Sequence, residues 1–426
     1  MDNQLLRKAA SDYKTPLYVF DLDAFSSRIR RVKEILGPQA EVYYAMKANP
    51  FLTASAAGAA DGLEVCSPGE YNICRRAGVP ASKIVLSGVN KEADQLMAVI
   101  GERGADAYTA ESPGQLALLE TCAAECSISL RVLLRLTSGN QFGMDEETIL
   151  SVLGEQNAYP HLEIGGLQYY SGTQKKGMDR IRRELALLDR FLATVRDKMK
   201  FEFDRLEYGP GFQIPYFAGQ EEPDEEALMR DFTKALGAMA YKGKIILEAG
   251  RFLAAPCGSY VTRVIDVKHS RGQGYCIMDG GINHVNYYGQ AMAMKIPAYR
   301  YLPGDGDTAG TAPEYHGTAA AGAAPEHHRV AAAGTAPEHD DTRYTVCGSL
   351  CTSGDMLVKN LPLPGLKAGD MLVFDRIGAY SVTEGIYLFL SRELPAILTY
   401  TESEGLRLVR DALPTDTIND GSCRSC

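Results

Sequence analysis

Between residues 41 and 251 short β-rich runs alternate with stretches of helical spacing, and this rhythm constrains the fold more than any other feature of the chain. The runs are Glu41–Ala45, Leu63–Cys66, Ile84–Ser87, Asp106–Ala110, Leu130–Leu136, Gly166–Ser171, Arg205–Tyr208 and Ile245–Glu248. Between them apolar residues recur on one helix face. Ile181, Leu185, Leu188, Leu192 and Val195 step by 4, 3, 4 and 3, and Leu228, Phe232, Leu236 and Met239 mark a second such face. Asn90 stands where an N-cap would open a helix around Leu96–Ile100. Eight strand–helix units in roughly 210 residues fit an α/β fold of the (β/α)8, TIM-type barrel kind; a doubly wound sheet is the alternative.

After about residue 258 the helical spacing fades. Ser259–Val267, Tyr275–Met278, Arg343–Cys347, Met371–Phe374 and Gly385–Leu390 are β-like, and the early run Leu17–Phe20 is a candidate to join them. The expected organisation is a barrel over residues 24–258 and a mostly β, sandwich- or barrel-like domain over 1–23 plus 259–426. A low-complexity insertion interrupts the second domain at about 303–342. There Gly-x-Ala-Pro-Glu recurs at Gly310, Gly322 and Gly334, twelve residues apart, in a tract of Ala, Gly and Pro with little to bury. The tract holds His316, His327, His328 and His339, four of the seven histidines, and reads as a solvated linker rather than a metal site.

Composition removes several function classes. The chain has 44 Lys plus Arg against 54 Asp plus Glu, a formal net charge of −10 with no basic block, which argues against nucleic-acid or anionic-membrane partners. It contains no apolar run of 18 residues and no signal-like start, so a cytoplasmic protein is expected. Ten cysteines without a paired C-x-x-C array, apart from a lone Cys423-x-x-Cys426, indicate reduced thiols and no metal site.

In a barrel the catalytic groups gather on the loops that follow the strands. The first strand runs into Met46-Lys47-Ala48-Asn49-Pro50 and places a lysine at the mouth. Burial there would depress its pKa and make it a Schiff-base nucleophile, whereas a lysine that snorkels to solvent is the plainer reading of this residue alone. The sixth strand ends in Ser171-Gly172-Thr173-Gln174, the seventh in Gly209-Pro210-Gly211-Phe212, and the eighth in Glu248-Ala249-Gly250-Arg251. Glycines let backbone N–H groups approach an anion closely, although a tight turn also explains a lone Gly-x-Gly. A lysine, a glycine-rich anion cradle, an arginine and a carboxylate on one rim fit a phosphorylated cofactor that forms an imine with lysine, pyridoxal 5′-phosphate (PLP).

These residues resemble the fold-type III PLP-dependent decarboxylases, the alanine-racemase-like barrel family of diaminopimelate and ornithine decarboxylases. Tyr44-Ala45-Met46-Lys47-Ala48-Asn49 is similar to the cofactor-lysine motif, and Glu64-Val65-Cys66-Ser67-Pro68-Gly69-Glu70 to the second-strand signature. Gln141-Phe142-Gly143-Met144, Glu248-Ala249-Gly250-Arg251 and Asp279-Gly280-Gly281 follow in family order, then Cys351-Thr352-Ser353-Gly354-Asp355 and Gly378-Ala379-Tyr380. The resemblance spans nearly the whole chain. It implies that Lys47 carries PLP and that Glu248 keeps the pyridine nitrogen protonated. Tyr170, Thr173, Gly209, Gly211, Gly250, Arg251 and Tyr380 would contact the cofactor, and Cys351 would protonate the carbon that loses CO2. Thr352 and Asp355 would face the substrate. It further implies a homodimer with shared active sites, Cys351 and Tyr380 coming from the partner. A racemase would place an arginine where Glu248 stands, and a non-catalytic regulator would not need Lys47.

Three departures bear on the substrate. Gln168-Tyr169-Tyr170-Ser171-Gly172-Thr173-Gln174 stands where the family shows H-x-H-x-G-S-Q, so Tyr170 replaces the ring-stacking histidine. Pro210 removes one N–H donor from the phosphate turn. Thr352 replaces the acid that pairs with a distal ammonium. No arginine for a distal carboxylate is evident around Asn283–Gly289. Diaminopimelate is the family default; ornithine, lysine or a carrier-protein-tethered aminoacyl group are the alternatives.

Overall fold

The computed structural model describes residues 1–286, 293–304 and 342–422. The repeat insertion with its histidines, the end of the Asn283–Gly289 segment and Cys423-x-x-Cys426 lie outside the described residues. Two compact units are present: 24–214 with 223–254, and 1–23 with 215–222 and 255–426.

The first unit is a closed barrel of eight parallel strands. They are β2 (Glu41–Ala45), β3 (Gly62–Val65), β4 (Ile84–Leu86), β5 (Ala107–Ala110), β6 (Leu130–Leu136), β7 (Leu162–Tyr170), β8 (Arg205–Gly209) and β9 (Lys244–Ala249). Closure occurs where Glu41 of β2 pairs with Ile246 of β9, and it removes every strand edge. The doubly wound alternative is thereby ruled out. Both long helical spacings are helices, Asp179–Met199 and Glu225–Gly237. Asp224 caps the second by accepting from Ala227 N. Asn90 is not a cap: its helix begins at Ala93, and the Asn90 amide donates to the Glu92 side chain instead.

The barrel interior is layered. Tyr43, Val85, Ala107, Leu133 and Ile246 form an apolar layer. Below it Asp106 is shared by Arg131 at 3.2 Å and Arg205 at 2.9 Å. Above it, toward the carboxyl ends of the strands, the fill turns polar again. The ionic layer below is partly exposed, and Asp106 serves two guanidiniums at once.

The second unit is mostly β. Strand β1 (Leu17–Asp21) lies centrally, antiparallel to β10 (Gly258–Ser270) and parallel to β16 (Ala396–Thr401). The sheet continues through β11 (Gln273–Met278), β13 (Arg343–Cys347) and β14 (Met356–Pro362) on one side and β17 (Gly405–Arg410) on the other, with β12 (Tyr299–Leu302) pairing β15 (Met371–Asp375). Helix α1 (Asn3–Asp12) packs Leu6, Ala9 and Ala10 onto Leu17, Val19, Val261, Val373 and Leu398. Gly385–Leu390, expected as a strand, is a turn. Leu390 has φ +62 and Ser391 φ +48, backbone states that no strand contains. Residues 215–222 join this unit because Ala218 N donates to Ile296 O and Ala298 N to Tyr216 O.

Gly258 shows how tightly the unit is built. A Cβ added there would sit 2.3 Å from the backbone N of Gly378, where Ile377 N and Gly378 N donate to Gly258 O and Ala255 O. Gly258→Ala should therefore cost about 2 kcal/mol through overpacking against main chain. Denaturant unfolding of the variant checks this, and an unchanged midpoint would refute the close approach.

Candidate active site

Strand β2 ends at Ala45, and a single 3-10 turn, Met46–Ala48, sets Lys47 over the barrel mouth. Asn49 fixes that turn. Its carbonyl accepts from Tyr44 Oη at 3.0 Å, and its side chain accepts from Phe51 N, capping the next turn. Lys47 Nζ donates to Glu64 Oε2 at 2.8 Å and lies 3.4 Å from Glu248 Oε1 and 3.7 Å from Cys66 Sγ. The lysine side chain is 39% exposed, whereas Glu64 and Glu248 are at 3% and 6%. The ammonium is thus reachable while its partners are not.

Burial pushes the Glu64 carboxyl up, but the charge and hydrogen bond of Lys47 outweigh it, and the pKa falls below the ordinary value. For Glu248 burial and the neighbouring Glu64 charge prevail over Lys47, and its pKa is pushed up to about 7. Gln168 Nε2 donates to the other Glu248 oxygen at 3.1 Å. Burial likewise raises the Tyr170 hydroxyl with help from Glu248, while Lys47, Arg251 and Thr173 oppose it, so these residues share one neighbourhood.

Beside them the loops after β7 and β8 touch backbone to backbone. Gly211 has φ +64, and a Cβ there would lie 2.1 Å from Gly172 O; Lys175 N donates to Gly211 O. Gly172 has φ +114 with open space where a side chain would begin. At Gly209 a Cβ would meet the Tyr170 ring at 2.6 Å, so the glycine is what seats that ring. A Cβ added at Gly250 would lie 3.0 Å from Ala48 Cβ, and Arg251 opens the short helix Arg251–Ala254 directly after it.

The β-domain residues form a separate group. Cys351, Thr352 and Ser353 are exposed on the loop between β13 and β14. Asp355 is buried: its oxygens accept from Ile282 N at 2.9 Å and Leu350 N at 2.8 Å. It holds the loop's shape and has no oxygen left pointing to solvent. Tyr380 is half-buried at φ +68, and its carbonyl accepts from Thr383 N and Glu384 N.

Sequence reasoning gave no separate role to several interior residues. Arg135 pairs with Glu111 at 2.7 Å and lies over the Phe142 ring. Lys91 donates to Gly88 O and Gln115 Oε1, and burial pushes its pKa down to about 8 against the Glu111 charge. Glu64 and Glu207 each interrupt an apolar strand with a carboxylate, the one pattern that could have marked them. Among the described residues no cluster of His, Cys, Asp or Glu is arranged to hold a metal, and no helix is long and apolar enough to cross a membrane.

An eight-stranded barrel with a lysine and buried carboxylates on its rim, joined to a β domain, is the architecture of the barrel-type PLP enzymes. Residues 22–255 match the family model described as the pyridoxal binding domain of the pyridoxal-dependent decarboxylases, and the chain belongs to that family. It is 25% identical over 418 residues to an L-glutamyl-[BtrI acyl-carrier protein] decarboxylase of Niallia circulans, covering 93% of this chain and 91% of that one. It is 24% identical over 399 residues to a diaminopimelate decarboxylase of Zymomonas mobilis, covering 89% and 86%. The crystal structure of Helicobacter pylori diaminopimelate decarboxylase with L-lysine shares the fold, with a TM-score of 0.79 at 20% identity over 97% of this chain and 98% of that one.

The site fits the cofactor. Gly172 leaves open space that a side chain would fill, while Gly209 and Gly211 let the Tyr170 ring and the Gly172 backbone pack closely around it, a setting suited to a phosphate. The buried Glu248 supplies an acceptor suited to a protonated ring nitrogen.

Without cofactor, Glu248 links folding to pH. A carboxyl whose folded pKa is raised stabilises the fold at low pH, and that contribution is lost as pH rises from about 4.5 to about 7. Cofactor-free Glu248→Gln should show a flatter fall of melting temperature across this window than the parent protein. Equal slopes would mean that Glu248 does not hold a proton there.

Proposed function

We propose that the chain removes the α-carboxyl of an amino acid as CO2, with Lys47, Glu248 and Cys351 as its catalytic residues. The observation that carries this reading is the partly exposed Lys47 held against two buried carboxylates beside the glycine-rich turns at Gly172 and Gly211. Bound PLP supplies an electron sink for the pair of electrons left when CO2 departs. Lys47 would hold it through its side-chain amine. Glu248, anchored by Gln168, keeps the ring nitrogen protonated and so deepens the sink. Thr173, Gly209, Gly211, Gly250 and Arg251 hold the phosphate, and Tyr170 stacks on the ring in place of a histidine. A tyrosine stacks without adding a charge near neutral pH, which leaves the ring charge to Glu248.

In this reading Cys351 returns a proton to the substrate carbon and Tyr380 closes the site, both from a second copy of the chain. Two features support that arrangement. The Cys351 loop is exposed, and Arg392 Nη2, donating to Ser349 O at 2.7 Å, ties it to a turn that presents Ile386, Leu388, Phe389 and Leu390 to solvent. An apolar turn of that size suits a homodimer interface. Lys47→Ala and Cys351→Ala proteins should each be inactive, and mixing them should restore part of the activity through heterodimers. Borohydride treatment should fix the cofactor on Lys47 in the parent protein alone. No recovery after verified subunit exchange would refute shared sites, and cofactor fixed in the Lys47→Ala protein would refute the lysine.

Diaminopimelate is the substrate to test first, in line with the relatives named for it. A specific observation favours a second one, an aminoacyl group tethered to a carrier protein: Thr352 is exposed, its Oγ1 accepts from Gly354 N at 3.3 Å, and it carries no charge for a distal ammonium. Thr352→Glu is expected to raise kcat/KM for diaminopimelate, lysine or ornithine about tenfold relative to substrates without that ammonium. A parent enzyme that strongly prefers free diaminopimelate would overturn the carrier reading.

A further inference from the structure

Glu207 has no place in the chemistry above, and it is among the most buried charged-type residues of the chain. It is 0% exposed, and neither carboxyl oxygen has a hydrogen-bond partner. Among the described residues the interior ion pairs include Arg131–Asp106–Arg205, Arg135–Glu111, Lys175–Glu184, and Lys47 with Glu64 and Glu248; Glu207 belongs to none. A bare carboxylate in that position would lose all of its hydration without return, and it takes up a proton instead. Burial, with the Glu248 and Glu64 charges, drives its pKa well above the ordinary value, against Arg205 and Lys47.

A protonated carboxyl has one donor to place. Gln168 stands directly across from Glu207 in the β7–β8 register, and its Oε1 is the other unsatisfied oxygen of this layer. Registered residues on adjacent strands share a face about 4.8 Å apart, within reach of both side chains. The Gln168 amide is already oriented, because its Nε2 donates to Glu248 Oε2. We propose that Glu207 is a neutral acid that donates to Gln168 Oε1, completing a relay Glu207–Gln168–Glu248 that positions Glu248 and holds it as an anion. Glu207 is a positioning residue: it acts on the cofactor nitrogen only through two intervening side chains. The relay occupies the place where the related enzymes carry a histidine in H-x-H and gives Gln168 a reason to be there.

The rival arrangement is an ionised Glu207 turned toward the unsatisfied Nη1 of Arg205, two residues earlier on β8. The two differ in sign. A neutral donor stabilises the Glu248 anion, so removing it raises the pKa of Glu248; an ionised neighbour destabilises that anion, so removing it lowers the pKa. The groups facing this pair are Glu64, Lys47 and Arg135 around Glu248, and Arg205, Lys47, Glu64 and Tyr43 around Glu207.

The proposal rests on Glu248 serving the cofactor ring, so the first readout avoids the cofactor altogether. In cofactor-free protein at mildly alkaline pH, infrared spectra with labelled glutamate should show the carbonyl stretch of a buried protonated acid. The band should vanish in the isosteric Glu207→Gln protein and move to higher frequency in Gln168→Leu. Its absence from the parent protein would overturn the proposal whatever Glu248 does. In the holoenzyme, Glu207→Leu should lower kcat about tenfold and move the acid limb of its pH profile up by about one unit. Glu207→Gln, which keeps a donor, should hold the limb in place. A downward shift in Glu207→Leu, or equal profiles for the two variants, would overturn it; should Glu207→Leu fail to fold, the infrared comparison decides.

Discussion

One ammonium set against two buried carboxylates organises the barrel mouth. Lys47 brings the pKa of Glu64 below its ordinary value, but at Glu248 burial and the Glu64 charge outweigh it, because a single cation cannot neutralise two acids that also repel each other. The result is a carboxyl poised near neutrality next to a reachable amine. Were the amine to lose its charge, as the proposed function would have it, Glu248 would need a new proton or a new positive partner. In the proposed function a protonated ring nitrogen would be such a partner.

The fold was readable from the sequence where periodicity was strong. Eight strands alternating with helices fit a barrel without excluding an open sheet, and all eight β runs correspond to barrel strands. The β domain was less readable because its pairing is long-range. Strands β16 and β17 lie in a sequence without a clear alternation, and Gly385–Leu390 has the apolar content of a strand but a backbone bent by positive φ at Leu390. Composition cannot report φ, and exposed leucines look like core leucines in one dimension.

At the site the visible residues were those on loops with distinctive neighbours: Lys47, the glycines, Glu248 and Arg251. Asp355 sits in a recognisable motif, yet its oxygens are spent on Ile282 and Leu350 backbone. A motif marks a position and does not say whether the position faces a ligand or a turn. Glu207 and Gln168 were invisible as a pair, since their adjacency exists only in the β7–β8 register.

The central strand of the β domain has a consequence for how the chain is made. Leu17 pairs with Val261 on one side and with Ala396 on the other, so β1 leaves the ribosome long before either neighbour. The barrel residues emerge in between as one nearly continuous segment and can close on themselves beforehand. During that interval Leu17–Phe20 is an apolar strand with both edges open. Helix α1, amphipathic and adjacent in sequence, is the nearest element able to shield it until β10 and β16 emerge.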